Sequence, residues 1–291
     1  MSQLSSVAMH RSPLFRAAHA ILIRVEHTLP RSIYSALYGA SFSLYRTGLA
    51  ASYRLQQRRL KRSGDLEGVR RGKAVIKAMP YSLVGPSGLE ATYEAVHDAI
   101  KRGVTGAIVE CGIAGGGSSA VMALALRDAG AFRHLWLFDS YEGLPDPTLD
   151  DIDPASGGTG AHIRPLPKGS CLGTFEEVEH LMGDVIGVPR DQFTMVKGWF
   201  QDSVRPNAET IGEIAVLRLD GDWYESTRTC LDGLYSRLAP GGLLIVDDYH
   251  SCFGSHRALN EFLSEQGDTD PAFVNDGCGG VLYVRPGRKH E

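Results

Sequence analysis

Apolar residues along this chain fall into two alternating patterns. Short runs rich in Val, Ile and Leu, such as AIVEC, LWLF, IAVLRL and LLIV, stop at acidic residues or glycine. Longer stretches between them repeat their apolar positions every three to four residues. The first pattern is that of buried parallel strands, the second that of helices lying over them. It predicts strands over 106–112, 134–141, 193–200, 214–222 and 243–250, and helices over 118–130, 174–187, 226–242 and 254–267. Residues 273–286 read as two short strands about a Gly-rich turn. Alternation of this kind predicts an α/β fold with a parallel sheet covered on both faces.

Upstream, residues 12–60 read as helical, broken at Pro30, with Ser32 placed to cap the second part and a turn at Ser63-Gly64 leading out. A further helix is predicted over 87–103, with Ser87 as its cap and Glu90 completing a capping box. Residues 142–170 have no apolar period and are rich in Pro, Gly and Asp, so they are expected to form a loop or lid.

Charge divides the chain unevenly. Residues 1–62 hold ten Lys/Arg and one acid, Glu26, a net of +9 that leaves −13 for the remainder of a 291-residue chain of net charge −4. A basic arm of residues 1–74 on an acidic domain of residues 75–291 is therefore expected. The basic residues follow no recognisable binding module, so nucleic acid is not the expected partner. No apolar run is long enough to span a membrane, and the first residues lack the order of a signal peptide. Five scattered cysteines without a CxxC pair fit a reducing cytoplasm.

In parallel sheets, ligands bind beyond the carboxyl ends of the strands. The first strand ends in ECGIAGGGSS, a Gly-rich turn opening onto a helix. Gly112 and Gly115 are expected to let the backbone turn and approach a ligand, and the helix N-terminus offers free N–H groups. Ala114 stands where a dinucleotide fingerprint needs its second glycine, and Glu110 would repel a pyrophosphate but suit a cationic group. Asp139 ends the second strand, where an acid accepts bonds from ribose hydroxyls. The combination points to S-adenosylmethionine rather than NAD.

Two acidic pairs, Asp220/Asp222 and Asp247/Asp248, end the strands 214–222 and 243–250. On neighbouring strands they would raise one another's pKa values, and a hard divalent cation removes that cost. Oxygen-only ligands favour magnesium, manganese or calcium over zinc. Three such aspartates would bind metal, and the fourth would take a proton from a hydroxyl undergoing methylation.

The stretches VECGIAGGGSSAVMALALR, LWLFDSYEGLPDP, FTMVKGWFQDSV and above all RLDGDWYEST with GGLLIVDDY resemble the macrocin (TylF-like) O-methyltransferases, which include mycinamicin and novobiocin sugar methyltransferases. The resemblance implies a class I methyltransferase (Rossmann-like) fold with a seven-stranded sheet and an antiparallel last strand. It implies Mg2+ on Asp220, Asp247 and Asp248, with Asp222 as general base. Glu110, Gly112, Gly115, Ser118 and Ser119 would lie near the methionine part of S-adenosyl-L-methionine, Asp139 at its ribose and Trp199 at its adenine. Loop 142–170 would cover the acceptor, and the arm would join copies in a homo-oligomer. His250, after DDY, departs from the family pattern and would touch substrate or metal, or cap the next helix.

The acceptor expected is a hydroxyl of a small molecule, on a sugar of a glycosylated natural product or a glycan. A catechol-like acceptor is the alternative, disfavoured because residues 142–170 contain no Trp, Phe or Tyr. An NAD-dependent oxidoreductase and a non-catalytic binding protein are the readings from other classes. The missing glycine opposes the first, and the retained acidic cluster opposes the second.

Overall fold

Why the apolar runs stop where they do becomes clear in the computed structural model, which describes residues 31–155, 157–159 and 168–287. The elements are α1 (Arg31–Ser63), α2 (Leu66–Ala78), α3 (Pro86–Lys101), β1 (Ala107–Cys111), α4 (Gly117–Asp128) and β2 (Leu135–Asp139). Then come α5 (Phe175–His180, wound on as a π turn over Leu181–Ile186), β3 (Phe193–Lys197), α6 (Phe200–Ile211), β4 (Ile214–Leu219) and α7 (Tyr224–Leu234). The chain closes with β5 (Leu238–Val246), α8 (Phe253–Glu265), β6 (Val274–Asn275) and β7 (Val281–Val284).

One seven-stranded sheet runs in the order β3-β2-β1-β4-β5-β7-β6. Five strands are parallel, and β7 inserts antiparallel between β5 and β6. This is the class I methyltransferase arrangement. Strand alternation sorts the buried residues into two cores. Ile108, Val216 and Ile245 face α2, α3 and α4, whereas Val109, Leu217 and Val246 face α6, α7 and α8. The switch in strand order at β1/β4 opens the carboxyl rim where the glycine turn and the acidic pairs lie.

Four elements differ from expectation. Helix α3 begins at Pro86 with Gly85 as its cap, and no side chain caps it. Proline at the first helical position has no N–H to be satisfied, and its fixed φ starts the helix one residue before Ser87. Glu90 is engaged elsewhere: it accepts from Tyr53 Oη at 2.6 Å and Arg71 Nε at 3.4 Å, tying α1 and α2 to α3. The capping box sits instead on α5, where Thr174 and Glu177 bond reciprocally. The segment predicted as helix to residue 242 ends at Leu234, because Pro240 cannot continue it and Leu238 enters β5 through a bulge at Gly241, φ 80°. Helices α2 and α6 were not expected. Asp65 caps α2 by accepting from the Gly68 N–H at 2.9 Å, and α6 turns residues 198–200 out of β3.

Helix α1 ends at Ser63 with Gly64 in left-handed conformation, as the turn predicts. The helical reading over 12–30 lies outside the described residues. Helix α2 runs across position 74, where the expected arm meets the expected domain. No helix among the described residues is long and apolar enough to cross a membrane. All five cysteines are free.

Candidate active site

Strand β1 delivers Glu110 to the rim, and β4 delivers Arg218 beside it as its register partner. Alternation puts Asp220, two residues on, on the same face as Arg218, and puts Asp247 on the same face as Ile245, the register partner of Arg218 on β5. The guanidinium is fully enclosed, at 0 % side-chain exposure. Nη1 donates to Glu110 Oε1 at 3.2 Å and to Asp220 Oδ2 at 2.8 Å, and Nη2 donates to Asp247 Oδ1 at 2.7 Å. The first counter-charge of the acidic rim is therefore built into the chain. Sequence reasoning looked only to a metal. The missed signal was a lone Arg in the apolar run IAVLRL, two positions before Asp220.

Asp220, Asp247 and Asp248 each offer an oxygen, the three lying within 4.8 Å of one another, so the structure brings together the set expected to hold a metal. The all-carboxylate donor set and this spacing fit a hard divalent cation. Asp248 is fixed by the Asp222 backbone N–H, donating to Oδ2 at 3.2 Å, and by Ser251 Oγ, donating to Oδ1 at 3.3 Å. Desolvation raises the Asp247 carboxyl, which Arg218 pulls back, and desolvation with repulsion from Asp222 raises Asp248. A second set, Asp222, Asp248 and Cys252, shares Asp248 and includes a thiol that sequence reasoning passed over.

Asp222 lies outside the all-oxygen set. It is buried at 7 % exposure, with backbone φ 56°. Burial, then the Asp220 charge, pushes its carboxyl up to about 7. Glu110, at 1 % exposure, is likewise pushed up to about 7 by burial, against the pull of Arg218 and a bond from Ser119 Oγ. The described non-glycine residues with positive φ are Ala114, Tyr141, Cys171 and Asp222. All belong to this rim or the loops leaving it, and such strain gathers at functional sites.

The glycine turn bends at Gly112, φ 88°, as expected, and it is also crowded by the protein's own backbone. A Cβ at Gly112 would lie 1.8 Å from the Asp220 carbonyl oxygen, and one at Gly115 would lie 2.6 Å from that of Tyr81. These glycines admit the protein's own backbone. At the start of α4, the cap, Gly116 at φ 84°, has no side chain to satisfy the first N–H groups, and Ser118 and Ser119 are buried there. Asp139 accepts from the backbone N–H groups of Ile113 at 2.7 Å, Ala114 at 3.1 Å and Tyr141 at 2.7 Å. With these three bonds it shapes the turn. Trp199 caps α6 through its carbonyl, is half-buried, and stands apart from the acidic rim at the end of β3. His250 is exposed and pairs with Asn275 at 2.6 Å, outside both ligand sets.

The loop predicted over 142–170 is anchored at its described parts. Trp223 Nε1 donates to the Pro145 carbonyl at 3.0 Å. Asp151 is fully buried, completes a capping box with Thr148, and accepts from the Tyr224 N–H at 2.6 Å. The first part of the loop is thus bound to the start of α7, directly after Asp222.

A sequence profile of the Macrocin-O-methyltransferase (TylF) family matches residues 39–284. The 8-demethyl-8-(2,3-dimethoxy-alpha-L-rhamnosyl)-tetracenomycin-C 4'-O-methyltransferase of Streptomyces olivaceus is 34% identical over 69% of this chain and 75% of its own. The demethyldecarbamoylnovobiocin O-methyltransferase of Streptomyces niveus is 33% identical over 69% of this chain and 75% of its own. Among solved structures, the O-methyltransferase NovP superposes with a TM-score of 0.61 at 30% identity, over 71% of this chain and 82% of that one.

Proposed function

The chain belongs to the macrocin-O-methyltransferase (TylF) family and is an S-adenosylmethionine-dependent O-methyltransferase, and from that premise we propose that it methylates a sugar hydroxyl on a glycosylated small molecule, using Asp222 as base beside a divalent cation. The observation carrying this reading is the convergence of Asp220, Asp247 and Asp248 within 4.8 Å, with Asp222 adjoining them on the rim shared with Glu110. A rhamnosyl acceptor in the name of one relative supports the sugar, and the absence of aromatic residues from 142–170 supports it over a catechol.

Magnesium held by Asp220, Asp247 and Asp248 would lower the pKa of the acceptor hydroxyl. Asp222, buried beside that set, would remove the hydroxyl proton. The acceptor oxygen forms its bond to the methyl carbon as the carbon–sulfur bond breaks, and that electron pair stays on sulfur, leaving S-adenosylhomocysteine. Glu110 and the uncapped start of α4 would hold the amino-acid part of the methyl donor. Asp139 would contact its ribose and Trp199 its adenine. The segment 142–155, fixed by Trp223 and Asp151, would exclude water from above Asp222. Association of copies through α1 is part of the same reading.

Asp222→Asn tests it. Turnover with magnesium is expected to fall by about 10²–10⁴-fold, while calorimetric affinity for S-adenosylhomocysteine stays within about threefold. Full turnover in this variant would remove Asp222 from the chemistry.

A further inference from the structure

Five carboxylates meet at this rim: Glu110, Asp220, Asp222, Asp247 and Asp248. Among the described residues, the ion pairs they make all come from Arg218. Its fork spans three strands, and its Nε, buried without a hydrogen-bond partner, adds no further hold on the guanidinium plane. The guanidinium orientation is therefore set by the acids it touches, and theirs by it. We propose that Arg218 is a positioning residue for the cation site. By holding one oxygen of Asp220 and one of Asp247, it turns their second oxygens, together with Asp248, toward a single cation position. The inference rests on the reading of these three aspartates as the metal set.

Two roles for a buried arginine lead to opposite expectations. A mere counter-charge competes with the incoming cation, so its removal leaves a more negative cluster that attracts the cation more strongly. A positioning fork acts through geometry, and its removal lets Asp220 and Asp247 rotate to other partners. Lysine separates the two roles: it keeps the charge but presents one compact ammonium instead of two divergent N–H edges. Residues that orient metal ligands weaken metal affinity by about 10–100-fold when replaced.

The experiment is Mn2+ titration of the full-length protein, followed by the electron paramagnetic resonance signal of free Mn2+, without methyl donor or acceptor. Wild type, Arg218→Lys, Arg218→Gln and Glu110→Gln are compared, each first checked for fold by circular dichroism. Wild type is expected to bind one Mn2+ per chain. Arg218→Lys is expected to bind at least about tenfold more weakly, and Arg218→Gln, if it folds, to bind more weakly too. Glu110→Gln keeps a side-chain oxygen that accepts from Nη1, so the fork and its grip on both aspartates are preserved, and binding is expected to stay within about threefold of wild type. Binding by Arg218→Lys within threefold of wild type, or tighter binding by Arg218→Gln, overturns the positioning role while leaving the metal site standing. No Mn2+ binding by wild type overturns the metal reading itself and this inference with it.

Discussion

Replacing Gly112 by alanine tests how tightly the glycine turn and the acidic rim are joined. The added Cβ would lie 1.8 Å from the Asp220 carbonyl oxygen, whereas real contacts stay above 3.0 Å, so β1 and β4 must part there by about 1.2 Å. The residue also sits at φ 88°, a conformation that costs alanine about 1–2 kcal/mol. Overpacking adds about 1–3 kcal/mol. Together these predict roughly 2–5 kcal/mol, or a Tm lower by roughly 3–8 °C. Gly103→Ala is the control, because Gly103 has φ 71° but nothing within 4 Å of its added Cβ. It bears the conformational cost alone, and its Tm should fall by roughly 2–3 °C with normal turnover. Because the displaced carbonyl belongs to Asp220, Gly112→Ala should also lose about 10²-fold in kcat. Differential scanning calorimetry and methyl transfer at a temperature where both variants are folded supply the readings. If Gly112→Ala melts no lower than Gly103→Ala and turns over normally, the coupling of turn to rim is refuted.

Asp247→Ala is expected to lose activity and to need far more magnesium for what remains, measured by metal titration after EDTA treatment; an unchanged requirement would take Asp247 out of the ligand set. Asp151→Ala removes the acceptor for the Thr148 and Tyr224 N–H groups at 2.7 and 2.6 Å. It should speed proteolysis within 142–170 and raise KM for the acceptor more than that for the methyl donor; equal proteolysis rates would mean that Asp151 does not anchor the loop. Tyr53→Phe leaves Glu90 without its 2.6 Å donor and should cost about 1–2 kcal/mol, seen as faster amide exchange in α1. Unchanged exchange would show that α1 is held by its apolar contacts alone.

Much of the fold was legible because strand and helix periodicities differ, and the acids at the strand ends lay where parallel sheets bind ligands. Legibility failed where one residue serves two elements. Ser87 and Glu90 have the spacing of a capping box, but Pro86 starts the helix and Tyr53, 37 residues earlier, takes Glu90. Pro240 and Gly241 look like a helix end, yet they bulge the start of β5, which only pairing with β4 reveals. At the site, Asp220, Asp247 and Asp248 were legible as a group, whereas Arg218 was hidden inside an apolar run. Its meaning depends on the β1–β4 register, which places it opposite Glu110. Gly112 and Gly115 were legible as necessary glycines but not in their cause, because the backbone each one faces comes from a distant segment.

The left-handed backbone of Asp222, φ 56°, has a consequence for anyone improving this protein in the laboratory. Glycine adopts that conformation freely and would also remove a buried carboxylate from a crowd of like charges, so Asp222→Gly should yield a hardier protein by about 1 kcal/mol or more. A variant library sorted only for expression or heat resistance will therefore enrich glycine at position 222, and its most robust members will be inert. Selection schemes that keep turnover in every round will retain the aspartate and must find their robustness elsewhere in the chain.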